Sequence, residues 1–233
     1  VSAYLKLAPF GPRFLLESVE GGERLARYSF IGFGDGLDVR LADGVLGIGD
    51  GERAPAGERA ELLEALRRAL AAAPVPQANG GSDRPPFPGG LVGVAGYDVV
   101  RRLERLPRPA SHPAAGPDGA WFAPGSLLVF DHLTRRAALL HDGPADGRAA
   151  LRREIVRALG GPVPKRRRGG RTAPVAASLD EGDFCRGVER AQDHVTAGDV
   201  FQLVLSVQFG GETDLDPFEV YRALRLLNPS PYM

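Results

Sequence analysis

Pro12-Arg13-Phe14-Leu15-Leu16-Glu17-Ser18-Val19, followed by Arg27-Tyr28-Ser29-Phe30-Ile31-Gly32-Phe33-Gly34, reads as two consecutive β-strands. Both segments are rich in aromatic and branched residues, which suit a pleated, half-buried surface. Strand alternation sends Glu17 to one face and Ser18 to the other, unless a bulge intervenes. A carboxylate and a hydroxyl inside so apolar a strand have two readings. Either this is an edge strand whose Glu faces solvent, or the pair serves a site.

Outward from this pair, Leu37–Leu41 and Val45–Ile48 flank Asp43-Gly44, a two-residue hairpin signal whose tight turn needs positive φ. Gly32-Phe33-Gly34-Asp35-Gly36 precedes a strand and not a helix, so it reads as a strand-to-strand turn and not a phosphate cradle. An amphipathic helix is predicted over Glu58–Ala73, with Leu62, Leu63, Leu66 and Leu70 as its apolar stripe and Pro74 as its stop. The segment from Pro76 to Pro88 is a loop, and Gly89–Val94 a glycine-laced strand. Ser126–Phe130 and Ala137–His141 form a second hairpin, and Asp146–Leu159 a helix closed by Gly160-Gly161.

Residues 162–178 hold three prolines and the basic run Lys165 to Arg171. No aromatic residue is interleaved there, so a solvated linker is preferred over a nucleic-acid patch. Beyond it, Asp180 caps a helix to Ala197, with Phe184, Val188, Ala191 and Val195 on one face and Gly198 at its end. Asp199–Phe209 alternates as a strand. Asp216-Pro217-Phe218-Glu219 opens a helix to about Leu227. Two prolines in three residues keep Asn228–Met233 out of a helix, and a rigid loop of this kind loses little entropy on binding.

Composition narrows the function. Acidic and basic residues balance at 29 each, which gives no general attraction to nucleic acid or to a membrane. No apolar run approaches the ~18 residues of a transmembrane helix. The one cysteine, Cys185, excludes an internal disulfide and suits a reducing, cytoplasmic setting. Cys185 has only Arg186 as a basic neighbour and reads as inert. His112, His132, His141 and His194 lack zinc-ligand spacing and read as structural or surface residues. Val1-Ser2-Ala3-Tyr4 shows neither an initiator Met nor a signal peptide, and Met233 follows directly on a turn, so a longer native polypeptide is expected.

Four segments, in order, resemble the large subunit of anthranilate synthase. They are Phe14–Arg24 with Arg27–Gly32, Gly96–Glu104, Ala197–Ser206, and Asn228-Pro229-Ser230-Pro231-Tyr232-Met233. The resemblance implies an α+β fold of antiparallel sheets and packed helices. It divides the chain into an N-terminal domain over 1–161, the linker over 162–178, and an incomplete chorismate-binding domain over 179–233. It implies conversion of chorismate to anthranilate and pyruvate with Mg²⁺, using ammonia from a glutamine amidotransferase subunit, under feedback inhibition by L-tryptophan. Glu17, Ser18, Pro231, Tyr232 and Met233 would line the tryptophan site. The chemistry agrees: an amino acid needs an anion for its ammonium, donors for its carboxylate and an apolar slot for its indole. Catalytic residues and Mg²⁺ ligands are expected beyond Met233, since the chain shows no carboxylate cluster for a hard cation. Two alternatives remain. Aminodeoxychorismate synthase shares the chemistry up to the position of amination, although the form of Tyr97–Pro107 and Tyr232-Met233 favours the anthranilate enzyme. A chain native at this length would instead be a non-catalytic tryptophan-binding or subunit-docking module.

Overall fold

The computed structural model describes residues 1–17, 27–77, 85–106, 116–165, 169–228, 230 and 232. The chain parts into two compact units, one of Val1–Lys165 with Pro229–Met233 and one of Arg166–Asn228.

The first unit is an antiparallel sheet built on two long partners, β2 (Tyr28–Ala42) and β6 (Gly119–Asp131). One half of this pair carries β3 (Val45–Ile48), β4 (Glu52–Pro55) and β5 (Val92–Ala95), in the order β4-β3-β2-β6-β5. The other half carries β1 (Phe14–Glu17) on β2 and β7 (Arg136–His141) on β6. The expected turn at Gly32–Gly36 is not a turn. The register shifts between Phe33 and Gly36, so a bulge carries one strand through the segment. Gly34 takes φ +78° there, and a Cβ at Gly36 would stand 2.3 Å from the Ala123 carbonyl oxygen. The Asp43-Gly44 hairpin forms, with Asp43 at φ 50° and Gly44 at φ 76°.

Three apolar clusters hold this unit together. Val39, Leu41, Leu46 and Ile48 pack under α2 (Arg59–Ala72). The buried stripe of α2 is Leu62, Ala65 and Ala69 with Leu66 beside it, while Leu63 and Leu70 are exposed. The leucine stripe is thus corrected by one turn-edge, because alanines let the helix sit close on the sheet. Leu7, Ile31, Phe33, Leu128 and Ile155 fill a second cluster beneath α1 (Ser2–Lys6) and α4 (Ala145–Gly160). Lys6 Nζ donates to the Leu159 carbonyl at 2.6 Å and ties those two helices. Phe30, Leu127, Val129 and Leu140 form the third cluster on the opposite face. Each such fully buried side chain contributes about 1.5–3 kcal/mol. The Tyr97 region is a single 3₁₀ turn followed by α3 (Val100–Leu103), clamped by Arg102 to Asp118 and to the Ala56 carbonyl.

The second unit holds α5 (Glu181–Ala197) and α6 (Pro217–Leu227), both begun as the sequence indicates. Asp180 accepts from the Asp183 amide at 2.7 Å, Asp216 accepts from the Phe218 amide at 2.9 Å, and Gly198 closes α5 in the left-handed region. Part of the stretch read as linker is paired: β8 (Ala176–Ala177) joins β9 (Phe209–Gly210), and Thr172 bridges Thr213. The strand expected over 199–209 is a correction. Only its last residue, Phe209, enters a ladder, because a strand exists only where a neighbour takes up its backbone donors and acceptors, and among the described residues only 176–178 lie alongside. Phe201 and Val204 are left 96% and 81% exposed.

Candidate functional site

The β1–β2 pair sets Leu16 opposite Phe30 and Glu17 opposite Ser29. Because cross-strand partners share a face, Phe14, Leu16, Tyr28 and Phe30 lie on one side, and Leu15, Glu17, Ser29 and Ile31 on the other. The first side is an aromatic platform. The Phe30 ring stands 5.6 Å from Phe87 at 90° and 6.1 Å from Tyr28 at 30°. The Tyr232 ring joins it, 6.0 Å from Phe30 at 43°, and Tyr232 takes φ 56° to do so. Phe30 is buried whereas Tyr232 stays 45% exposed, so the platform has an open edge. Offset and edge-on aromatic faces of this kind suit another flat ring.

The second side is polar at its end. Glu17 is only 7% exposed, and its Oε1 accepts from the Val1 nitrogen at 3.1 Å. Ser29 is equally buried and shares a hydrogen bond of 2.8 Å with His132 Nε2. Arg27 grips Asp131 with two parallel bonds, Nε to Oδ1 at 3.1 Å and Nη2 to Oδ2 at 2.8 Å. The Leu133 and Thr134 amides also donate to Oδ1. Arg27, aided by the Thr134 amide, holds the Asp131 carboxyl far below the usual carboxylate range despite its partial burial. The β6–β7 turn beside it frames a shallow depression of about 460 Å³ between Asp131, His132, Arg135 and Arg136.

Of the five residues read as site residues, Ser18, Pro231 and Met233 lie outside the described residues. Glu17 is not a solvent-facing edge residue, because the fold buries it. Tyr232 and Glu17 meet the same strand pair from opposite faces. Sequence reasoning missed Phe30, Tyr28 and Phe87 as ring neighbours of this site. The aromatic content of β2 was a signal for the first two, whereas nothing in the Pro-rich segment around Phe87 marks it. Among the described residues, no group of three His, Cys, Asp or Glu side chains could hold a metal ion. His132, His141 and His194 bond to Ser29, Ser126 and Asp199 respectively, and Cys185 is exposed.

The fold and this strand pair define a class. The family model described as chorismate binding enzyme matches residues 11–233, and the chain belongs to that family. Its relatives narrow the class further. The chain is 41% identical to anthranilate synthase component 1 of Thermus thermophilus, covering 100% of this chain and 49% of the relative. It is 32% identical to that of Acetivibrio thermocellus, covering 94% and 47%. The crystal structure of anthranilate synthase component I from Streptococcus pneumoniae superposes with a TM-score of 0.68 at 25% identity, over 92% of this chain and 50% of that one. The chain thus spans about half the length of the curated relatives it matches. No helix among the described residues is long and apolar enough to cross a membrane.

Proposed function

We propose that the chain is part of an anthranilate synthase large subunit, a cytoplasmic lyase that converts chorismate and ammonia to anthranilate and pyruvate for tryptophan synthesis. Ammonia comes from glutamine through a partner amidotransferase subunit, and Mg²⁺ serves the chorismate site. What this chain contributes is the inhibitor site for L-tryptophan, lined by Glu17, Ser18, Pro231, Tyr232 and Met233. The observation that carries this reading is the return of Tyr232 to the aromatic platform at Phe30. An indole has the flatness and polarizability such rings accept. Glu17 and Ser18 enter the site through the family resemblance, since Glu17 faces the other side of the β1–β2 pair. Because the two parts of the site are distant in sequence, bound tryptophan would favour one arrangement of the enzyme over another.

The test is an assay of the native gene product with chorismate, ammonium and Mg²⁺, following the fluorescence of anthranilate. Anthranilate formation that tryptophan suppresses supports the reading. An aminated chorismate that keeps its pyruvyl group would point to aminodeoxychorismate synthase instead.

A further inference from the structure

The sheet face turned away from α2 bears a row of five residues in register across five strands: Val94, Ala120, Arg40, Gly47 and Arg53. Two arginines therefore flank a glycine, each one strand away. Their Cα atoms lie about 10 Å apart, the width of two strand spacings. Both line one concavity of about 410 Å³ whose floor includes Gly47 and Gly49. Among the described residues neither Arg40 nor Arg53 has an ion-pair or hydrogen-bond partner. The one carboxylate that lines this concavity, Asp38, accepts from Arg13 Nη2 at 2.5 Å.

Gly47 has no structural reason to be glycine. A glycine inside a strand weakens it, and usually marks a bulge, a left-handed φ or a close approach of another group. The registers of β3 with β2 and with β4 run unbroken through Gly47. Its φ is not positive. A Cβ there would meet nothing nearer than the Arg40 carbonyl oxygen, at an ordinary 3.7 Å. What remains is the close approach of something from outside. We infer that Gly47 clears the seat of an oxyanion-binding site, a carboxylate or phosphate group held from both sides by Arg40 and Arg53. Guanidinium groups match such oxyanions with paired, charge-assisted bonds, and two of them facing one gap are stabilised when an anion fills it. The ligand class is an anion no larger than one phosphate or carboxylate at the contact point, borne by a small metabolite or by an acidic residue of a protein partner.

The experiment is a titration of the ¹⁵N-labelled native gene product at low ionic strength, with inorganic phosphate in one series and a blocked Glu-Glu dipeptide in another. Saturable shifts of the Arg40, Gly47 and Arg53 amides are expected. Stronger binding of phosphate assigns the seat to a metabolite, and stronger binding of the dipeptide to an acidic protein segment. Arg40→Gln with Arg53→Gln weakens either by about tenfold or more. Gly47→Glu fits the open space, places a carboxylate in the seat and abolishes binding while the thermal transition is kept. The absence of a saturable shift with both probes overturns the inference. So do shifts that persist in the double arginine variant or in a folded Gly47→Glu.

Discussion

Tyr232, at the far end of the chain, packs its ring 6.0 Å from that of Phe30, at the centre of the β1–β2 pair. Phe30 is 2% exposed and Tyr232 is 45% exposed, so the two rings have different jobs. Phe30→Ala opens a cavity and is expected to cost about 3–5 kcal/mol, seen as a lower thermal midpoint. Tyr232→Ala is expected to change stability by less than about 1 kcal/mol yet to weaken tryptophan binding, read by calorimetry. A tryptophan affinity that survives the loss of Tyr232 would remove that ring from the site.

The Arg27–Asp131 pair predicts acid sensitivity. Asp131 is held ionised in the fold by the Arg27 hydrogen bonds, so its folded pKa lies below the unfolded value. Its contribution to stability is therefore complete above the unfolded carboxylate pKa of about 3.9 and is lost as pH falls below it. Asp131→Asn should flatten the acid limb of the stability profile measured by urea unfolding between pH 2 and 6. A profile as steep as the parent's would contradict this.

Two glycines separate space from conformation. A Cβ at Gly93 would stand 2.0 Å from the Ala120 carbonyl oxygen and 2.6 Å from the Trp121 Cα, whereas one at Gly51 meets nothing within 4 Å. Gly93→Ala pushes β5 off β6 and is expected to cost about 1–3 kcal/mol. Gly51→Ala should stay within about 0.5 kcal/mol of the parent. Denaturant midpoints decide between them.

The second unit should open more readily than the first. Neither α5 nor α6 has a buried residue, while α2 buries Leu62, Ala65 and Ala69. Amide exchange in α5 is thus expected to run faster than in α2. Asp180→Ala removes the cap on the Asp183 amide, costs about 0.5–2 kcal/mol locally, and speeds exchange across the first turn of α5.

Legibility followed the range of the interactions. The Asp43-Gly44 hairpin, the cap at Asp180, the stop at Gly198 and the start at Asp216-Pro217 all rest on contacts a few residues long, and each stands where its residues place it. The antiparallel α+β class was legible for the same reason. Three features were not. The Gly32–Gly36 stretch looks like a turn because glycine permits turns and bulges alike, and only the 119–131 partner strand selects the bulge. β4, Glu52-Arg53-Ala54-Pro55, alternates too briefly and is too charged to announce an edge strand. The 199–209 segment has a strand's pattern, but a pattern supplies no partner. Of the site, the Leu-Leu-Glu-Ser strand and the Tyr-bearing loop were visible as anomalies in apolar or Pro-rich surroundings. Their meeting at Phe30 depends on tertiary packing that no local rule encodes.

The most direct measurement is an inhibition curve for L-tryptophan on the native gene product, taken beside its Ser18→Arg variant. On the proposed site, an arginine at this position would fill the inhibitor slot and leave the chorismate pocket alone. The account predicts that half-maximal inhibition moves to at least about tenfold higher tryptophan, while uninhibited anthranilate formation is kept. Inhibition and turnover falling together, or inhibition unchanged, would contradict the placement of the tryptophan site at the end of the β1 strand.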